Sequence, residues 1–196
     1  MALKTTTWKD RNIDNLQLTK TFAVKKGITH PVIINFGPGG SVRFLAKYLL
    51  HGPSAERDTR ARIIRFFESL LRKTGLFPLI TNEPEEIVRI FSSLLPKKLL
   101  VYDREKKVIM AVNDLVAAKI IDIPVEAEII DLLEGPVASE ADIVIALNIV
   151  SRTNDKERAL NHIISSVRVG GLVCINIDEP PAGFIKLGQC LFERVN

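Results

Sequence analysis

The chain is poor in the residues that would tie it to a metal or to an oxidising compartment. Its 196 residues include two cysteines and three histidines. Cys174 and Cys190 lie in apolar, strand-like segments and neither belongs to a CxxC pair, which argues against a zinc site and against a disulfide framework. No metal is expected. His30, His51 and His162 are scattered, and His162 falls inside a predicted helix, where a lone histidine more often serves the scaffold than catalysis. No apolar run approaches the roughly 20 residues needed to span a bilayer, so no membrane partner is expected. The opening MALKTTTWKDRN has no apolar signal core, and a cytoplasmic protein is expected.

What is present is a globular balance, 46% hydrophobic and 26% charged, at a length that suits one domain over 1–196. The net charge of +4 is unevenly spread. Residues 1–75 hold 14 Lys+Arg against 5 Asp+Glu, a balance of +9, and residues 76–196 carry −5. A basic half can attract nucleic acid, an acidic partner or an anionic cofactor, although a solvated helix face is the favoured account of it.

The first 30 residues are polar and weakly patterned, and predict one short helix or an extended lead-in. PVIINF (31–36) is a continuous apolar run, as in a strand covered on both faces. It runs into GPGGS and then VRFLAKYLL (42–50), where Phe44, Leu45, Tyr48 and Leu49 recur at helical spacing. Strand, glycine turn and helix are therefore expected in unbroken succession. After HGPS (51–54) a helix is predicted over 55–74, then a short strand or buried loop at LFPLIT (76–81). A further helix, opened by Asn82 and Glu85, ends before Pro96. From Lys98 the rhythm becomes regular. KLLVYD (98–103), AEIIDLL (127–133), ADIVIALNIV (141–150) and LVCINID (172–178) read as strands. Helices fall over 105–119 and 154–167, the second ended near Gly170 and Gly171. The tail from Phe184 reads as a turn or short helix feeding a last strand. Such alternation implies parallel strands joined by right-handed crossovers, an α/β sandwich.

A buried strand, a glycine turn and a helix together suit a nucleotide-like ligand. Gly37 and Gly39 permit a sharp turn, and Gly40 lets a ligand approach where a side chain would block it. No Gly-Lys-Ser/Thr follows, which excludes a P-loop, and Val42 interrupts GxGxxG. Asp103, Asp131 and Asn148 close successive strands at their carboxyl ends, where a shared cleft lies in open α/β sheets. Asp103 suits ribose hydroxyls, or alternatively caps the helix that follows it.

Taken in order, these segments resemble the class I S-adenosylmethionine-dependent methyltransferases. VIINFGPGGS (32–41) looks like their first motif, LLVYDRE (99–105) the strand with the ribose-binding carboxylate, and AEIIDLL the strand that faces the adenine. Residues 141–176 look like their fourth strand, helix, two-glycine turn and fifth strand. The resemblance covers about 31–50 and 98–194. It implies a three-layer sandwich with a mostly parallel, Rossmann-like seven-stranded sheet, and a helical insertion or lid over 51–97 after the first βα unit. It also implies S-adenosylmethionine as cofactor. Gly37, Gly39 and Gly40, with Asn35, Phe36 and Pro38 in the same loop, would line its methionine and ribose. Asp103 would hold the ribose hydroxyls, with Arg104 beside the adenine and Asp131 and Leu132 at its edge. Leu147, Asn148 and Ile149 would border the sulfonium and the acceptor.

The sequence departs from the family at three points. Asn35 stands where an acid is usual, Ser41 replaces the last glycine of the loop, and 62 residues separate Gly40 from Asp103. Either 51–97 is inserted, or LFPLITNE takes the second strand position and Glu83 holds the ribose; the spacing of the later strands favours Asp103. The implied activity is methyl transfer to an unidentified small-molecule acceptor. An anionic one would suit the basic helix bearing Arg57, Arg60, Arg62, Arg65, Arg72 and Lys73. No catalytic base stands out. Nucleic acid is the less favoured acceptor, because Phe66 and Phe67 both fall on an apolar stripe. Two rival readings are an NAD(P)-dependent oxidoreductase and a non-catalytic interaction protein on the same fold. The oligomeric state stays open, since the stripes at 55–74 and 84–95 suit either internal packing or a dimer contact.

Overall fold

The apolar runs assemble, in the computed structural model of the chain, around one mostly parallel sheet. The structure describes residues 8–39, 41–42, 79–80, 83–137, 140–147 and 149–196. The helix predicted over 42–50, save its first residue, and the helix predicted over 55–74 lie outside them. In chain order the elements are α1 (Trp8–Lys25), β1 (Val32–Phe36), β2 (Ser41–Val42), β3 (Leu79–Ile80) and α2 (Glu83–Phe91), which a 3-10 turn extends through Leu94. Then come β4 (Lys98–Asp103), α3 (Lys106–Ala117), β5 (Val125–Ile129), β6 (Ala141–Ala146) and a 3-10 turn at Val150–Arg152. The chain closes with α4 (Lys156–Ser165), β7 (Val167–Ile175), β8 (Phe184–Lys186) and β9 (Leu191–Arg194).

The seven-stranded sheet has the order β5-β4-β1-β6-β7-β9-β8. β1 lies at its centre, with Ile33 opposite Leu99 of β4 on one side and Ile143 of β6 on the other, both pairings parallel. β5 and β7 extend the parallel set, and β9 runs antiparallel to both β7 and β8. From β1 the chain first builds outward through β4 and β5, then returns to β6 on the opposite side. The order thus reverses between β1 and β6, which is where α/β sheets open a crevice.

Both faces of β1 are covered, which is why its sequence is an unbroken apolar run. Ile33 faces a core with Leu16 and Ala23 of α1, Ile87 and Phe91 of α2 and Val112 of α3. Ile34 and Phe36 face the opposite core with Ile163 of α4. Helices therefore pack on either side of the sheet, the three-layer arrangement expected from the sequence.

Several boundaries differ from the sequence reading. The weakly patterned start is an 18-residue helix. Its buried stripe is Asn12, Leu16, Thr19 and Ala23, helical in period but half polar, so a hydrophobicity pattern does not show it. Thr19 is tolerated there because its Oγ1 donates 2.7 Å to the Asn15 carbonyl. No helix starts at residue 42: Ser41–Val42 pairs antiparallel with Leu79–Ile80. The first described helix after the loop is α2, whose Ile87 and Phe91 pack in the core against the sheet. The rest of 51–97 before it, except β3, lies outside the described residues. LFPLITNE does not take the second strand position, since β3 joins β2 and KLLVYD pairs with β1.

β5 spans Val125–Ile129 rather than 127–133, which leaves Asp131 beyond its end, and β6 stops at Ala146 rather than 150. The two glycines do not form a turn before a strand. They sit inside β7 at a bulge, where pairing jumps from Ala141↔Val167 to Ile143↔Leu172. A Cβ on Gly171 would lie 2.9 Å from the Arg168 carbonyl and 3.0 Å from that of Asp142. Close backbone approach, not helix termination, requires that glycine. The tail ends in the expected last strand, β9, and β8 stands where a turn or short helix is read, the two forming a hairpin.

Candidate functional site

A cleft opens at the carboxyl ends of β1, β4, β5 and β6, walled by Gly37, Gly39, Asp103, Leu132, Ile149 and Arg152 among others. The residues come from separate stretches of chain, and the sheet order brings them together. Gly37 and Gly39 hold φ of +56° and +64°, the left-handed region that glycine adopts without strain. The Gly37 amide donates 2.8 Å to the Tyr102 carbonyl of β4, fastening the loop to the neighbouring strand.

Asp103 makes a second fastening. Its carboxylate accepts from the Glu105 amide at 2.8 Å and from the Gly39 amide. Burial raises its pKa; the two amides and Arg104 oppose the rise, and neighbouring Glu105 adds to it. The helix cap itself is Glu105, so Asp103 turns the chain into α3 while keeping its carboxyl at the cleft wall. Arg104 lies in the same wall.

The Asp131 carboxylate accepts from the Leu133 amide at 2.9 Å, a local turn that shapes the far wall. His162 of α4 braces that turn through Nδ1 and the Leu132 carbonyl. A carbonyl only accepts, so Nδ1 carries the proton, and this histidine belongs to the scaffold.

Of the other residues singled out from sequence, Pro38 is half-buried beside the two glycines. Phe36 and Leu147 are buried in the two cores, so a ligand would meet their backbone rather than their side chains. Gly40 and Asn148 lie outside the described residues. Arg152 and Thr153 line the cleft although the sequence pattern does not single them out. The signal for them is local: the Thr153 hydroxyl accepts from the Asp155 amide at 3.1 Å, the kind of turn that polar runs such as SRTND form at a strand's carboxyl end.

Asn35 and Glu83 meet at the floor of the loop. The Asn35 Nδ2 donates 2.7 Å to Glu83 Oε1. Glu83 is the first residue of α2, so the carboxyl that the sequence offers as an alternative ribose ligand points to the strand under the loop. Burial pushes it up to about 8, against the pull of the Asn35 hydrogen bond and the Arg152 guanidinium; Asp103 adds to the rise.

Among the described residues no cluster of three or more His, Cys, Asp or Glu could hold a metal, and no helix is long and apolar enough to cross a membrane. No family model and no curated protein matches the sequence. Solved structures match its fold. The N-methyltransferase NodS from Bradyrhizobium japonicum WM9, in complex with S-adenosyl-l-homocysteine, superposes with a TM-score of 0.52 at 12% identity, over 87% of this chain and 62% of that one. The plantazolicin methyltransferase BpumL, in complex with monoazolic desmethylPZN analog and SAH, gives 0.50 at 12% identity over 84% and 46%. An S-adenosylmethionine-dependent methyltransferase from Clostridium acetobutylicum ATCC 824 gives 0.50 at 8% over 89% and 52%. The chain spans between about half and two thirds of the length of these neighbours. The fold is that of the class I S-adenosylmethionine-dependent methyltransferases.

Proposed function

We propose that the chain binds S-adenosylmethionine across this cleft and transfers its methyl group to a small-molecule acceptor, anionic if the basic stretch over 55–74 selects it. The observation that carries the reading is the joining of the glycine loop to Asp103 at the point where the strand order reverses. Fold-matched neighbours crystallised with S-adenosylhomocysteine support it.

The residues present fit that cofactor. A Cβ on Gly39 would meet nothing nearer than the Gly37 carbonyl at 4.0 Å, so the missing side chain leaves open space on the cleft wall. Asp103 offers a carboxylate to paired hydroxyls, and Arg104 a planar cation beside a base. Leu132 and Ile149 supply apolar surface that sheds water. When bound, the sulfonium supplies an electrophilic methyl group. The chain's task is then to orient and to exclude water, effects that together account for several kcal/mol of barrier lowering.

Calorimetric titration with S-adenosylmethionine and S-adenosylhomocysteine tests the reading, with Gly39→Arg and Asp103→Ala alongside. Micromolar binding by the wild type, lost in both variants, is the expected result. A folded wild-type protein that binds neither ligand but binds a nicotinamide nucleotide would replace this reading with the oxidoreductase. Binding with no turnover across an acceptor panel would leave a non-catalytic cofactor-binding protein.

A further inference from the structure

Arg152 brings a positive charge to the cleft wall, where it is exposed. Other arginines of the chain are spent on partners: Arg89 on Glu86, Arg168 on Asp142, and Arg194 on the carbonyls of Val167 and Asn196. Arg152 takes part in no ion pair among the described residues. Its charge reaches the Glu83 carboxyl beneath the glycine loop, but burial keeps that carboxyl mostly protonated at neutral pH, so it neutralises little.

Its place in the sheet order sets it apart from the acidic groups of the cleft. Arg152 ends the 3-10 turn after β6. The carboxylates that line the cleft, Asp103, Glu105 and Asp131, stand at or just beyond the ends of β4 and β5. β1 lies between β4 and β6, so those two strands are two spacings apart, roughly 10 Å. The segment bearing Arg152 also touches the glycine loop, through Ile149 beside Gly37. Arg152 therefore marks the loop end of the cleft, away from the wall that suits a ribose and a base.

We propose that Arg152 is the specificity-determining residue for the methyl acceptor, and that it holds a carboxylate of that acceptor at the glycine-loop end of the cleft. This rests on the cofactor reading given above and names the anion which that reading leaves open. S-adenosylmethionine carries a sulfonium, and two cations in one partly enclosed cleft repel each other. An anion seated at Arg152 offsets that repulsion. Its class follows from the donors at hand. The Thr153 hydroxyl donates to the Asp155 carbonyl at 2.9 Å, so its proton is already committed. The N-terminus of α4 is capped by its own Asp155, whose carboxylate accepts from the Arg158 amide at 3.0 Å. That cap removes the pull which a free helix start exerts on a phosphate. What remains is one planar guanidinium fork, which matches one carboxylate.

The test compares the wild type with Arg152→Gln, and with Arg152→Lys, which keeps the charge but not the fork. Ligand-observed NMR titration of protein loaded with S-adenosylhomocysteine sets benzoate against benzamide and phenylacetate against phenylacetamide at millimolar concentration. At least one acid should bind roughly tenfold more tightly than its amide, the value of a charged hydrogen bond. Arg152→Gln should erase that preference, and Arg152→Lys should keep part of it. Calorimetry adds a readout that needs no acceptor. Arg152→Gln should raise the affinity for S-adenosylmethionine severalfold relative to S-adenosylhomocysteine, because only the former carries the sulfonium. Absent or equal binding of acid and amide by the wild type overturns the proposal, as does a preference that survives Arg152→Gln. An unchanged ratio of the two cofactor affinities overturns it too. The cofactor's own carboxylate is the other source of the same chemistry. If Arg152→Gln weakens S-adenosylhomocysteine but not 5′-methylthioadenosine, the guanidinium serves the cofactor, and the acceptor role falls. A wild type that binds neither S-adenosylmethionine nor S-adenosylhomocysteine overturns the cofactor reading itself, which separates the two failures.

Discussion

The Cβ that Gly37 lacks would lie 2.6 Å from Cδ1 of Ile149, so the glycine loop and the segment after β6 are in contact at the cleft. Two effects then act against any side chain at residue 37: φ of +56° and the Ile149 side chain. Gly37→Ala should lower unfolding stability by about 1–3 kcal/mol, read by chemical denaturation. Adding Ile149→Ala should recover the steric part and leave the backbone part, a non-additivity that a double-mutant cycle measures. Equal costs with and without Ile149 would show that the contact carries none of the penalty.

Glu83 predicts a pH-dependent stability in the ligand-free protein. A carboxyl raised from 4.5 to about 8 binds its proton more tightly in the folded state. Its contribution is complete below the ordinary value and is lost as pH rises through the folded one. Stability should therefore fall between about pH 4.5 and 8. The loss should reach up to a few kcal/mol, at about 1.4 kcal/mol for each pH step crossed in that window. Denaturation midpoints taken at closely spaced pH values check this, and Glu83→Gln should flatten the profile there.

The two thiols should react in sequence. Cys174 is fully buried with its thiol raised to about 12, whereas Cys190 is partly exposed, its thiol also raised by burial. A maleimide applied to the native protein should label Cys190 first, followed by Cys174 only on denaturation. Peptide mapping by mass spectrometry reads the order, and early labelling of Cys174 would contradict the packing of α1 on β7.

His162 should control the far wall of the cleft without touching the chemistry. His162→Ala removes the brace on the Leu132 carbonyl, so amide exchange across 131–134 should quicken. Affinity for 5′-methylthioadenosine should fall several-fold, roughly the value of one net hydrogen bond. Unchanged exchange would mean that the turn holds itself through Asp131.

The strands that build the sheet were legible because central parallel strands are continuous apolar runs: KLLVYD matches β4 residue for residue. α2 was legible too, through Ile87, Val88, Ile90 and Phe91. α1 was legible only as one short helix or an extended lead-in, since half of its buried stripe is polar and its compensation is a hydrogen bond within the helix. Gly170 and Gly171 misled for a physical reason, because a glycine needed for close approach in a bulge looks the same in sequence as one that ends a helix. Asp103 and the two loop glycines could be assigned to one end of the sheet from their order alone. The Asn35–Glu83 pair could not, since 47 residues lie between its members and nothing in either segment announces the other.

The pairing of β2 with β3 has a consequence for how this chain tolerates change. Val42 lies opposite Leu79, so two points far apart in the sequence are held side by side. Loop-closure entropy grows only with the logarithm of length, so lengthening or shortening the stretch between those two residues costs the scaffold little. That pairing is thus a graft point: the sequence between its two strands can be exchanged while the sheet keeps its register.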